Sequence, residues 1–166
     1  PTLSAFIDAN QHWPGALALE IKREVKLAET RPPAEMLAYF ADHPPVTKAA
    51  QRRHLVAQLE AGDYDTAVAA IRHHWATQSM NVTDESRFEE TFADFIRPQD
   101  HQRRVAFLLM TGQRADARRH YDQLDDNWQA FAEAVDADRG GDTSLRDGLP
   151  ADMLRHPAFI VPEVLA

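Results

Sequence analysis

Residues 53–67 and 103–117 carry one pattern twice, fifty positions apart: Arg53 aligns with Arg103, Leu59 with Leu109, Gly62 with Gly112 and Ala67 with Ala117. Leu-x-x-Gly followed five residues on by Ala has a direct physical meaning. The leucine packs the end of one helix. The glycine reverses the chain at a positive φ that side chains resist. The alanine, having almost no side chain, lets the second helix approach the first closely. Two such units favour stacked antiparallel helix hairpins, because a hairpin buries one face by itself and needs a neighbour for the other.

The remainder of the chain agrees. Leu17, Ile21, Val25 and Ala28 recur at helical spacing on one face of a helix expected to start near Pro14. Pro32-Pro33 opens a short helix with Met36, Leu37 and Phe40 inward, and Pro44-Pro45 precedes a third from about Val46 to Ala61. After Gly62, the residues Tyr64, Ala67, Val68, Ile71 and Trp75 form an amphipathic stripe. Thr83 reads as an N-cap, followed by acids in the first turn and by Phe88, Phe92, Phe95 and Ile96. Pro98 opens a helix carrying Val105, Leu108 and Leu109. Ala117, Tyr121 and Leu124 mark another, and Trp128, Phe131, Ala132 and Val135 one more. No segment shows convincing strand alternation. The expected fold is all-α, a tetratricopeptide-like solenoid or α-superhelix over residues 1–139. Residues 140–166 form a Gly/Pro-rich tail or the start of a further repeat. The core is expected to bury Tyr64, Ile71, Trp75, Phe88, Phe92, Leu109, Trp128 and Phe131.

At 166 residues and a formal net charge of −8, the chain is long enough for a hydrophobic core and lacks the basic excess of a nucleic-acid binder. Arg103, Arg104, Arg114, Arg118 and Arg119 are close in sequence, but the simpler reading is a solvated helix face with carboxylate neighbours. The absence of cysteine removes disulfides, thiolate metal sites and cysteine nucleophiles. No apolar run approaches the roughly 20 residues of a membrane-crossing helix. Beginning at Pro1, the chain reads as one from which a leader or upstream domain has been removed.

His73 and His74 are adjacent, so on a helix their side chains diverge by about 100° and do not share an ion. None of the eight histidines falls in a His-Glu-x-x-His or Glu-x-x-His pattern. Gly140-Gly141 follows a helix and reads as a helix stop, not a phosphate loop. Trp13, Trp75 and Trp128 are compatible with a carbohydrate groove, although core packing is the favoured assignment. Asp84, Glu85, Glu89 and Glu90 gather where a helix N-terminus attracts carboxylates for structural reasons. No catalytic, cofactor-binding or metal-binding residue is assigned, and no cofactor is expected.

Several stretches in order resemble the helical, non-catalytic region of the soluble lytic murein transglycosylase family. They are FIDANQHWPGALALEIKREVKLAE from Phe6, MLAYFADHPPVT from Met36, AGDYDTAVAAIRHHW from Ala61 and DESRFEETFADFIRPQDHQRRVAFLLMTGQRADARR from Asp84. LPADMLRHPAF from Leu149 continues the likeness. In that family the first stretch has an entering Trp-Pro with an Arg and Glu inside, and the last has Asp-His, Arg and Leu-Leu before a Gly. Here FIRPQDH and LLM stand where the family usually has Leu-Leu-Thr-Pro-Asp-His and Leu-Leu-Trp, and the lysozyme-like catalytic domain is missing.

The resemblance implies an α-superhelical scaffold acting in the periplasm. Peptidoglycan glycan strands or a protein partner would be its ligand, with no nucleic acid and no membrane span; no feature fixes an oligomeric state. A tetratricopeptide-like adaptor for protein partners is the rival reading. The tetrapeptide ESRF, Glu85 to Phe88, matches the family's Glu-Ser-x-Phe, which carries its catalytic acid. The segments that complete the family's cleft are absent, so Glu85 is expected at the surface near a helix start and the chain alone is expected not to cleave peptidoglycan.

Overall fold

The computed structural model describes residues 3–10 and 12–160. The fold is all-α: 75% of it is helical, and no strand occurs among the described residues. The helices in chain order are α1 (Leu3–Ala9), α2 (Ala16–Thr30), α3 (Pro33–Asp42), α4 (Lys48–Glu60), α5 (Tyr64–Thr77), α6 (Val82–Phe92), α7 (Pro98–Met110), α8 (Arg114–Arg118), α9 (Asp126–Arg139) and α10 (Pro157–Ile160). Short 3-10 turns fill Ala93–Phe95, Tyr121–Gln123, Ser144–Gly148 and Met153–Arg155.

The fifty-residue echo is a geometric repeat. Gly62 and Gly112 have φ of 84° and 76°. Gly62 N–H donates to Leu59 O at 3.0 Å and Asp63 N–H to Gln58 O at 3.1 Å. Fifty residues later, Gly112 N–H donates to Leu109 O at 3.3 Å and Gln113 N–H to Leu108 O at 2.8 Å. This paired bonding closes the open carbonyls of a helix C-terminus and requires the left-handed conformation at the glycine. In both copies the next residue's carbonyl then starts the following helix, accepting from Ala67 N–H at 3.0 Å and Ala117 N–H at 2.9 Å. Both alanines are fully buried. Gly141, at φ 88°, ends α9 in the same way.

Contacts divide the chain into two compact units, residues 1–70 with 82–88 and residues 71–81 with 89–166. In the first unit, α3 packs on α4 and α2 on α4, around Met36, Phe40, Ala50 and Ala57. Pro33 sits in the first turn of α3, where its missing N–H costs nothing, and Thr47 Oγ1 caps α4 by accepting from Ala50 N–H at 3.1 Å. In the second unit, α7 packs against α8, α9 and α10. Val105, Leu108, Leu109, Phe131, Ala132 and Val135 form its core. The stretch after Gly140 joins this core through Leu149, Met153, Ala158 and Phe159. Residues 161–166 lie outside the described residues.

Of the expected core, Ile71, Trp75, Phe88, Phe92, Leu109 and Phe131 are buried, and Trp128 is half-buried. Tyr64 is a correction: it is 59% exposed. It is the first residue of α5, and helical side chains lean toward the N-terminus, so it overhangs the turn instead of the helix body. Thr83 is a second correction, since α6 already begins at Val82 and Thr83 lies inside its first turn. The helix expected through Ala117, Tyr121 and Leu124 is a single turn, α8, followed by the 3-10 turn Tyr121–Gln123. The α2 stripe is a third difference. Leu17, Ile21 and Val25 are exposed, while Arg23 and Glu24 are buried. The side chain of Ala28 lies outside the described residues.

Candidate functional site

The second unit holds a buried cluster built around the Arg104 guanidinium. Arg104 on α7 is fully buried. Its guanidinium donates to Trp75 O at 2.6 Å and Gln78 O at 3.2 Å, carbonyls left open at the end of α5. Its Nε donates to His120 Nε2 at 3.3 Å. Because arginine offers no lone pair, this Nε2 accepts and the imidazole proton is on Nδ1, 3.5 Å from Gln123 Oε1. The guanidinium carbon also lies 4.5 Å from the Trp75 ring centroid, and His101 and His120 each meet that ring edge-on at 5.6 Å. Burial pushes the His101 pKa down, against the pull of the Glu89 charge.

Two further carboxylates in this unit have structural partners. Asp100, nearly fully buried, accepts from Arg97 N–H at 3.0 Å at the start of α7 and lies 3.5 Å from both Arg72 and Arg103. Asp136 is held by Arg114 and by Arg118, the latter through Nε at 2.8 Å. Burial pushes the Asp136 carboxyl up, but these two hydrogen bonds outweigh it and keep the pKa below the usual carboxylate value. The five neighbouring arginines therefore make no common basic face. Arg103, Arg114, Arg118 and Arg119 each meet a carboxylate, Arg119 with Asp116, and Arg104 is internal. The burial of Arg104 departs from the expected solvated face.

The first unit contains a polar network and a cleft. Arg23, largely buried, donates to Asp8 Oδ1 at 2.9 Å and lies over the Tyr39 ring at 4.4 Å. The Arg23 hydrogen bond is the main reason the Asp8 carboxyl stays below its usual pKa. Tyr39 donates to Glu20 and stacks on His43 at 4.6 Å. Glu24 is fully buried and accepts from Val46 N–H at 2.6 Å and Thr47 N–H at 2.9 Å. Beside this network lies an open cleft of about 420 Å³, walled by Ile7, Leu17, Pro44 and Val46, with Glu20, Asp42 and His43 as its polar lining.

The sequence-derived candidates scatter. His73 is exposed and within 3.5 Å of Thr77 Oγ1, while His74 is half-buried. Among the described residues no group of three or more His, Asp or Glu side chains is arranged to hold a metal ion. Trp13 is 53% exposed and meets Phe6 edge-on, which corrects its core assignment; it precedes α2 and is not carried on a helical face. In the second unit Trp75 is fully buried and Trp128 is half-buried against the core. Glu85 is also a correction. It is 4% exposed, not a surface residue. It lies three residues before Phe88 and seven before Phe92, both buried, so helical spacing places it on the inward stripe of α6.

Sequence reasoning passed over the cleft, whose residues come from α1, α2, the end of α3 and the Pro44-Pro45 turn, and it passed over the buried carboxylate of Glu24. No sequence signal singles out Glu24, because α2 also carries Glu20, Lys22, Lys26 and Glu29. Comparison of the chain with protein-family models, with curated proteins and with solved structures finds no match. No helix among the described residues is long and apolar enough to cross a membrane.

Proposed function

We propose that this chain is a non-catalytic scaffold module of a lytic-transglycosylase-like protein, its hairpins stacked in a tetratricopeptide-like superhelix that guides peptidoglycan glycan in the periplasm. One observation carries the reading. Inside the stretches that resemble the family Arg23, Glu24, Glu85, Asp100 and Arg104 are buried, and three of them bind backbone at helix ends. Glu24 binds Val46 and Thr47, Asp100 binds Arg97, and Arg104 binds Trp75 and Gln78. Polar groups held in this way fix helix pairs to one another and leave little capacity for proton transfer at a substrate.

Retention on purified peptidoglycan sacculi tests the reading. The expected result is co-sedimentation with sacculi and no release of anhydro-muropeptides. Release that disappears in Glu85→Gln would make the chain an enzyme; no retention would move it to the adaptor class. That second reading, a tetratricopeptide-like adaptor for a protein partner, is favoured by the apolar stripe that α2 leaves in solvent.

A further inference from the structure

We infer that the outer face of α2, with the cleft beside it, is a docking site for an amphipathic helix of a protein partner that carries basic side chains along one flank of its apolar stripe and acidic side chains along the other. Leu17, Ile21 and Val25 are 62%, 39% and 45% exposed and recur every four residues. They form an apolar row about 12 Å long at 1.5 Å per residue, the length over which a facing helix presents two turns of anchors. The row opens into the 420 Å³ cleft, where Val46, 49% exposed, provides the opposite wall. Isolated exposed leucines are ordinary, but a contiguous row that runs into a cleft at its Leu17 end is an interaction surface.

Charge selects the occupant. At about 100° per residue, Glu20 and Lys22 project to opposite flanks of the row centred on Ile21. Glu20 faces the cleft, whose lining includes Asp42 and no lysine or arginine. Arg23 is engaged by Asp8 and Tyr39 and lies 3.8 Å from Glu20, so Asp42 carries the exposed negative charge of the cleft. On the other flank Lys22 and Lys26 are exposed. A helix with one basic and one acidic flank meets both, and the polarity fixes its direction along α2. A second copy of α2 lying antiparallel on this row would bring like flanks together, lysine against lysine, which disfavours that arrangement; a parallel copy would set Glu20 against Lys22 and is the outcome that sedimentation detects. An anionic membrane surface would meet the Glu20 and Asp42 carboxylates with repulsion.

The test uses the whole chain and a labelled synthetic peptide of eighteen residues, helical by design, with a leucine stripe, a lysine flank and a glutamate flank. Fluorescence anisotropy is expected to show saturable binding that weakens as salt rises. Leu17→Ser or Ile21→Ser should weaken it about tenfold or more, because each removes an apolar anchor. Asp42→Lys and Lys22→Glu should each weaken it severalfold. These positions are exposed, so the variants should keep the parent circular dichroism and melting temperature. They should also keep sacculus retention, which separates this site from the glycan reading. No saturable binding, or binding indifferent to all four substitutions, overturns the inference. It is equally overturned by a dimer in sedimentation that Ile21→Ser disperses, or by Leu17-dependent capture on phosphatidylglycerol vesicles.

Discussion

The carboxylate of Glu24, fully buried in α2, is bonded to the backbone N–H of Thr47 at 2.9 Å and of its neighbour Val46 at 2.6 Å. Thr47 is the residue that caps α4. One side chain thus sets where the Pro44-Pro45 turn ends and where the next helix starts. Glu24→Gln keeps one acceptor but turns an amide NH2 toward a backbone N–H, and should cost about 1–3 kcal/mol. Glu24→Ala should cost more. Urea unfolding checks this: the midpoint should fall with the slope unchanged, and an unmoved midpoint would refute the clamp.

A matched pair of glycine substitutions tests the repeat. A Cβ placed on Gly62 meets no atom within 4 Å, so any penalty there comes from the backbone conformation at φ +84°. Gly62→Ala should therefore destabilise by about 1 kcal/mol and Gly62→Val by more. Gly112→Ala should behave alike, since its φ and its two capping bonds match. Thermal melts of the variants would show it; a loss at one glycine alone would mean that the two turns are not equivalent.

Arg104 is expected to be the least replaceable residue of the second unit. Arg104→Met leaves the carbonyls of Trp75 and Gln78 without this donor, and the imidazole of His120 likewise. The expected cost is about 3 kcal/mol or more. Arg104→Lys should recover only part, because one ammonium does not span the positions that the planar fork reaches. The fluorescence of Trp75, which stacks on this guanidinium, reports the local change alongside denaturant titration.

Acid should weaken the fold in two steps. Burial lowers the pKa of His54, His101 and His156 below their ordinary 6.5. The unfolded chain then binds protons first as pH falls, so their contribution is complete above about pH 6.5 and is lost progressively below it. Asp8 and Asp136 have pKa values below the ordinary 3.8, so their contribution is present above that value and is lost as pH falls through the lowered ones. Melting temperature against pH should be level between about pH 7 and pH 9, decline toward pH 5 and drop again below about pH 4. A level profile from pH 7 to pH 5 would contradict the histidine step.

What was legible in the sequence was local. Gly62, Gly112, Ala67 and Ala117 declared their geometry because a helix stop and a close approach depend on a few adjacent residues. Pro33 and Pro98 did the same for helix starts. What was not legible depends on which element covers which face. Leu17, Ile21 and Val25 have an inward pattern, yet they point to solvent because α2 turns Arg23 and Glu24 toward its neighbours. Glu85 is expected at the surface because it sits at a helix start with no cleft segments to enclose it, but its spacing to Phe88 and Phe92 carries it inside. The cleft was hidden for the same reason, since Ile7, Leu17, Asp42 and Pro44 come from separate elements that only the fold brings together.

The interleaving of the two compact units has a consequence for biosynthesis. Residues 82–88 belong with the first unit although 71–81 belong with the second. A nascent chain leaving the ribosome cannot finish its first unit when residue 70 emerges. It must wait for the closing segment, with eleven residues of the second unit already exposed between them. No single cut in the gene releases either unit whole. A series of arrested nascent chains should gain protease resistance only once residue 88 has cleared the exit tunnel.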